Sequence, residues 1–297
     1  TDADRQVIDY KKSNNNIDLR EVLDAVRTVK GHFDDMDSFV VLLKKWWSDG
    51  DPHYELSLLP MSMDTFEECI WLLLALKDVG GKIRKQEVKM STRDLQISDI
   101  YEQTYKRAVK VASFKLEGIL NYLVDTPVFD SQKSNYEEGI GCGVAEMLNG
   151  FYECACKIES RVAERLTRQI VHFIAYYLIE EMVNRNRVCG TKGFQLSFFV
   201  SCVQSSVSRK FPPLAKFMKY FDPVTEVCRM LTMPMSLEII QLKDEIFPTL
   251  TTGLMARVLN LFRLDQYNLN RVPKSVFDYL LQHDDFKPTP SRYDILK

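Results

Sequence analysis

The 297-residue sequence lacks most of the features by which a chain announces chemistry. It has no glycine-rich phosphate loop and no nucleophile motif. Its four histidines, His32, His53, His172 and His283, are far apart and have no partners at metal-ligand spacing. The longest apolar run, Ile170 to Ile179, is interrupted by His172 and falls far short of the ~20 residues a membrane span needs. An excess of one charge is missing too: the formal net charge is −2, which argues against a general nucleic-acid binder. There is no internal repeat, no heptad array and no strand-like alternation. No signal peptide is visible, and the chain opens at Thr1, so it reads as a segment of something longer.

A disulfide framework is excluded on similar grounds. The seven cysteines are an odd number, scattered through a chain long enough to need no staples, and read as reduced thiols. Cys154 and Cys156 are two residues apart, so on a helix they point to different faces and form neither a bridge nor a metal pair. The acidic cluster Asp34-Asp35-Met36-Asp37 is also a poor metal site. Carboxylates sharing Mg²⁺ should stand one helical turn apart, but the position after Asp37 is Ser38, and acids ahead of a helix are explained by its dipole. No catalysis, cofactor or structural metal is expected.

What is present is helix. Hydrophobic content of 45% and charge of 27% suit an ordinary soluble globular protein, and the length favours two lobes. The organising stretch is Arg161 to Val207. Along its first half Val162, Leu166, Ile170, Phe173, Ile174, Tyr177, Leu178 and Met182 recur at steps of three and four, while Arg161, Arg165, Arg168 and His172 fall on another face. Gly190 and Gly193 are expected to supply the turn, where a backbone without Cβ can take positive φ, and Leu196, Phe199, Val200, Val203 and Val207 restart the helical period.

The remaining elements follow from start and stop signals. Helices are expected at Leu19–Lys30, Asp37–Trp47 and Asp64–Val79, the third with Asp64 as N-cap and Gly80-Gly81 as its end. Trp46 and Trp47 cannot both face one core. Lys82 to Ile97 reads as a surface loop, Ser98 to Val124 as a second long helix, and Val144–Lys157 as a helix. Asp130 to Gly143, with three glycines, is the expected boundary between lobes, giving 1–130 and 131–297. After Phe211-Pro212-Pro213 the chain should form short helices from Asp222-Pro223, Ser236 and Thr252, then a last one from Pro273 with Phe277, Leu280 and Leu281 inward. The fold class is all-α, an elongated body of two packed helical subdomains that share the long helices 98–124 and 161–184.

One local charge excess stands out. Between Arg185 and Arg229 lie Arg185, Arg187, Lys192, Arg209, Lys210, Lys216, Lys219 and Arg229, against Asp222 and Glu226 alone. Such a run is either a solvated face or a docking surface for an acidic protein partner.

At these residues the sequence resembles a known family. Arg185-Asn-Arg-Val-Cys-Gly-Thr-Lys192-Gly193-Phe194-Gln195-Leu196, with Val200 following, is similar to the Lys-Gly-x-Gln turn of the class V myosin globular tail, the dilute or DIL domain. Leu250-Thr251-Thr252-Gly253-Leu254-Met255-Ala256-Arg257-Val258-Leu259-Asn260-Leu261-Phe262 resembles the family's Leu-Thr-Thr segment, and Ile8-Asp9-Tyr10-Lys11-Lys12 is a weaker third match. The resemblance implies a non-catalytic, cytoplasmic, cargo-binding tail of an actin-based motor, associated with vesicles. It implies organelle adaptor peptides and a Rab-type GTPase as partners, the latter at Gln195, Lys192 and Phe194, with Gln195 exposed. It places Arg185 and Arg187 where the family carries a basic position implicated in docking on its own motor head. It also implies a monomer as an isolated domain, dimeric through an upstream coiled coil, with no nucleic acid and no direct membrane insertion. A related domain in Ras- and Rap-effector junctional scaffolds is the alternative. His283-Asp284-Asp285 stands where the family's other head-docking cluster is basic, which weakens fold-back inhibition for this chain.

Overall fold

The computed structural model describes residues 58–86, 92–125 and 136–283, together with 19–22, 24, 45–46 and 55–56. The described residues form helices and no strands beyond two isolated bridges. In chain order they are α1 Met63–Gln86, α2 Thr92–Asp125, α3 Tyr136–Cys156, α4 Ser160–Asn184, α5 Gly190–Lys210, a 3₁₀ helix Pro212–Phe221, α6 Asp222–Thr232, α7 Leu237–Gln241, α8 Lys243–Ile246, α9 Thr252–Asn260 and α10 Lys274–Gln282. The expected Asp34–Asp37 cluster, Trp47, His32, His53, the Ile8–Lys12 match and the lobe boundary at 130/131 lie outside the described residues. Most of the two expected N-terminal helices does too.

Several boundaries differ from expectation, each for a local reason. Asp64 does not cap α1; Ser62 does, its Oγ accepting the Thr65 N–H at 3.1 Å. The helix runs through Gly80-Gly81 to Gln86, because a glycine costs only about 1 kcal/mol in a helix and good helix formers follow. Of the loop expected over 82–97, residues 82–86 and 92–97 are therefore helical, α2 starts at Thr92, and 87–91 lie outside the described residues. The glycine-rich stretch before Val144 is helical from Tyr136 onward. There Gly141 serves close packing: a Cβ on it would stand 2.7 Å from Cβ of Cys202 on α5.

The chain divides into two compact units, one of residues 1–112 and 154–160, the other of 113–153 and 161–297. The division falls inside α2, so that helix contributes to both; α4, expected to be shared, belongs to the second from Arg161 onward. In the first unit Trp46, Phe66, Ile70, Leu72, Leu73, Leu76 and Tyr105 are buried. Glu55 Oε2 ties this region together, accepting from the Leu19 N–H at 2.6 Å and from the Trp46 indole at 2.8 Å.

In the second unit α4 is the central element. From Ile170 to Ile179 every residue except His172 is buried, the pattern of a helix enclosed on most sides. Cys228 lies wholly inside this unit, and burial pushes its thiol up to about 12; all seven cysteines are free. Short helices α7 and α9 start on real caps: Ser236 Oγ accepts from the Ile239 N–H at 3.4 Å, and Thr251 Oγ1, one residue before the expected Thr252, accepts from the Leu254 N–H at 3.2 Å. Asp222 is the first residue of α6 rather than its cap, and makes no capping bond. In α10 Val276 and Leu280 are the buried residues, whereas Leu281, expected inward, is 74% exposed.

Candidate functional site

The site begins where α4 ends. Asn186 has φ of 55°, the left-handed conformation that reverses the chain, and the N–H of Arg187 returns to the Met182 carbonyl at 2.8 Å. Asparagine is among the residues that tolerate this region at low cost. The turn thus does not need the positive φ expected of Gly190 and Gly193, which are the first and fourth residues of α5. Their missing side chains allow close approach instead. A Cβ on Gly190 would meet Asp265 Oδ1 at 2.8 Å, and one on Gly193 would meet Leu231 Cβ at 3.1 Å and the Cys228 carbonyl at 3.2 Å.

The start of α5 is capped from a distance. Its own N-cap residue, Cys189, offers no side-chain bond, and the Asp265 carboxylate takes that place. Asp265 accepts from the backbone N–H of Thr191 at 2.5 Å, of Tyr267 at 3.0 Å and of Asn268 at 3.1 Å. Partial burial pushes its carboxyl up, but these hydrogen bonds outweigh burial and hold it below the usual carboxylate range. Asn268, itself buried, donates through Nδ2 to the carbonyls of Leu231 and Met233, both at 3.0 Å. The segment 263–268 therefore staples the start of α5 to the end of α6, and the Arg263 N–H closes it on the Val188 carbonyl at 2.8 Å.

Lys192 and Gln195 lie inside this assembly. Lys192 is 2% exposed, and its Nζ donates to the carbonyls of Leu123 at 3.3 Å and Val124 at 3.0 Å and to Gln195 Oε1 at 2.5 Å. The last carbonyls of α2 have no partners within that helix, and an ammonium there satisfies them while matching the helix dipole. Gln195 is fully buried, at 0% exposure, one turn along α5 from Lys192. The exposure expected for Gln195 is thus corrected. A helix-start residue is exposed only if nothing packs over it, and here Gln195 is buried against Lys192, whose ammonium reaches the last carbonyls of α2.

Arg185 is likewise engaged within the chain. It pairs with Asp125 and Asn121 at the end of α2 and with Glu181 at 2.8 Å on its own helix, while Tyr177 donates to Asn121 at 2.6 Å. The hydrogen bond to Arg185 holds the Asp125 carboxyl below its ordinary range, and the Arg185 guanidinium is raised in turn. Arg187 is exposed.

The residue of the turn that faces outward is Phe194, 42% exposed. Its ring lies 4.8 Å from that of Tyr267, 41% exposed. Phe198 follows one turn along the same face of α5, and Leu264 and Leu269 flank Tyr267 in the chain; all three are exposed. Of the expected site residues, then, Lys192 and Gln195 come together in the interior, Phe194 stands outside with Tyr267, and Arg185 and Arg187 part ways. Sequence reasoning missed Tyr267, Asp265 and Asn268. The signal available was Asp-Gln-Tyr-Asn, a turn-forming run directly after the Leu-Thr-Thr helix. Among the described residues no group of three or more His, Cys, Asp or Glu side chains is placed to hold a metal ion, and no helix is long and apolar enough to cross a membrane.

Comparisons with known proteins bear on this same stretch. Residues 165–266, from the body of α4 through Gln266, match the family model described as the DIL domain. No curated protein matched the chain by sequence. Among solved structures it is similar to the apo form of Myo2-GTD at 13% identity, with 94% of this chain and 81% of that chain covered and a TM-score of 0.61. It is also similar to Myo2-GTD in complex with Mmr1 at 12% identity, covering 95% of this chain and 81% of that one with a TM-score of 0.52. A structure described as a myosin V cargo binding domain aligns at 14% identity over 90% of this chain and 74% of that one, TM-score 0.52. The fold is that of the myosin globular tails.

Proposed function

We propose that this chain is a cargo-binding globular tail of a class V-like myosin, without catalysis of its own, working in the cytoplasm on vesicles carried along actin. The observation that carries the reading is that residues 165–266 match the DIL model and carry the outward Phe194, whose ring pairs with that of Tyr267 one residue beyond the match. Adaptor peptides and a Rab-type GTPase are the partner classes, in keeping with the Mmr1 complex of a structural relative. The Rab contact is made by Phe194 and Tyr267, while Lys192 and Gln195 act as positioning residues. They fix the first turn of α5, from which Phe194 projects. Two rings about 40% exposed supply the apolar anchor that hot spots need, with little rotamer entropy to lose. Docking on a motor head falls to Arg187, since Arg185 is held by Asp125 and Glu181.

The test is a panel of GTP- and GDP-loaded Rabs titrated against the wild type and Phe194→Ala/Tyr267→Ala. Binding of a GTP-loaded Rab, weakened about tenfold or more in the double variant with helicity and melting unchanged, is the expected result. A Rab that binds both proteins equally removes the patch from the contact. Gln195→Arg is a poor probe here, because an arginine at a buried position unfolds the turn before it reports on any surface.

A further inference from the structure

A second basic region lies elsewhere in the same unit, and it is organised differently. On α4, Arg161, Arg165 and Arg168 stand at spacings of four and three, so they share one stripe of the helix surface. The 3₁₀ helix contributes Lys216 and Lys219 at a spacing of three, where side chains eclipse. The two stripes line one groove of about 260 Å³, floored in part by Phe217 and Tyr220. The lysines rest on their neighbouring rings, Lys216 Nζ 5.3 Å from the Phe217 centroid and Lys219 Nζ 5.4 Å from that of Tyr220.

This arrangement works against the stability of the fold. Arg161 sits in the first turn of α4, where the helix dipole disfavours positive charge and where no acidic residue is present. Arg161–Arg165 and Arg165–Arg168 are like-charge neighbours, as are Lys216 and Lys219. One carboxylate lines the groove with them, Glu164, which pairs with Lys216, and the Asp222 carboxylate nearby feels the charge of Lys219. Five cations against one anion in a concave site is a field that an anionic ligand relieves. His172, half-buried one turn beyond Arg168 with its ring 4.6 Å from that of Tyr220, feels the same field: burial and then Arg168 lower its pKa, so it adds no further charge near neutral pH.

We propose that this groove binds a ligand bearing clustered phosphate monoesters, the chemistry shared by inositol polyphosphates and phosphoinositide headgroups. Three guanidiniums in a row offer the planar forks that grip phosphate oxygens in pairs, and two ammoniums face them across the groove. The small volume suits one compact polyanion. An extended acidic peptide, rising about 3.3 Å per residue, would project far beyond it. Nothing here depends on the motor-tail reading, and the aromatic patch of Phe194 and Tyr267 belongs to a different face of α5's start.

The experiment is calorimetric titration of the whole chain with inositol hexakisphosphate, inositol 1,4,5-trisphosphate and orthophosphate, beside co-sedimentation with vesicles containing phosphatidylinositol 4,5-bisphosphate. The wild type should bind the hexakisphosphate saturably, more weakly at higher salt, with the trisphosphate next and orthophosphate last. Arg161→Gln/Arg168→Gln/Lys219→Gln should weaken binding about tenfold or more, and Glu164→Gln should strengthen it about two- to threefold. Competition between the trisphosphate and vesicles identifies a headgroup as the source; binding of the soluble compounds with no sedimentation identifies a free inositol phosphate. The proposal is overturned if the charge-matched control Arg263→Gln/Arg271→Gln/Lys274→Gln weakens binding as much as the groove variant does. It is also overturned if neither soluble compound binds, or if an acidic peptide binds the groove better than both. Should the triple variant fail to fold, the single change Lys219→Gln and the gain expected in Glu164→Gln carry the same decision.

Discussion

The two basic regions of the second unit look alike as strings of Arg and Lys and differ in what their charges meet. At the start of α5, Lys192 is buried and bonds two carbonyls and a glutamine, and Arg185 is held between Asp125 and Glu181. Along α4 and the 3₁₀ helix, Arg161, Arg168 and Lys219 are exposed beside one another around a groove. A cation inside the fold whose partners are helix ends is part of the scaffold. A set of cations crowded around open space is a field awaiting an anion. Counting charges cannot separate the two; only the positions of the carbonyls and carboxylates can.

The contrast can be broken most directly at Lys192. Replacing it by Met should destabilise the protein by about 3 kcal/mol, because the Leu123 and Val124 carbonyls and the Gln195 amide are left buried with one donor gone. Urea unfolding followed by circular dichroism measures this as a lowered midpoint. A midpoint unchanged from wild type would mean that the buried ammonium is not structural and that the two regions do not differ as described.

A smaller effect is expected at Asp265, the remote cap. Asp265→Ala should cost about 1 kcal/mol, the typical value of an N-cap carboxylate. The sign with pH follows from its depressed pKa. The stabilisation is fully present above the ordinary carboxylate range and is lost as pH falls through the lower folded-state value. The wild type and Asp265→Ala should therefore converge in stability on acidification, and midpoints measured from pH 7 down to pH 3 check it. A constant difference across that range would assign the loss to packing rather than to the charge.

The smallest effect sharpens the other side of the comparison. Arg168→Ala removes an exposed cation from a crowded row, so stability should change by no more than about 0.5 kcal/mol, with relief of repulsion opposing the lost side-chain packing. The His172 titration, followed by NMR, should move up, since Arg168 is one of the two influences that lower it. A large loss of stability in this variant would make Arg168 a scaffold residue like Lys192.

The sequence by itself determined the all-α class, the pairing of two long helices about a basic turn, and the caps at Ser236 and near Thr251, because these rest on periodicity and on side chains that bond within their own turn. It also carried the resemblance at Lys192-Gly-Phe-Gln195, but not what those residues do. Tertiary structure alone decided that Gln195 is buried beside Lys192, whose ammonium bonds the end of α2, about 70 residues away in sequence. Likewise the conformational relief fell to Asn186 rather than to the glycines, which are needed for the approach of Asp265 and Leu231. The groove between α4 and the 3₁₀ helix belongs to the same class. Arg168 and Lys219 are 51 positions apart, and only packing makes their charges neighbours. Local bonds are written in local sequence, whereas burial and electrostatic company are properties of surfaces that do not exist until the helices meet.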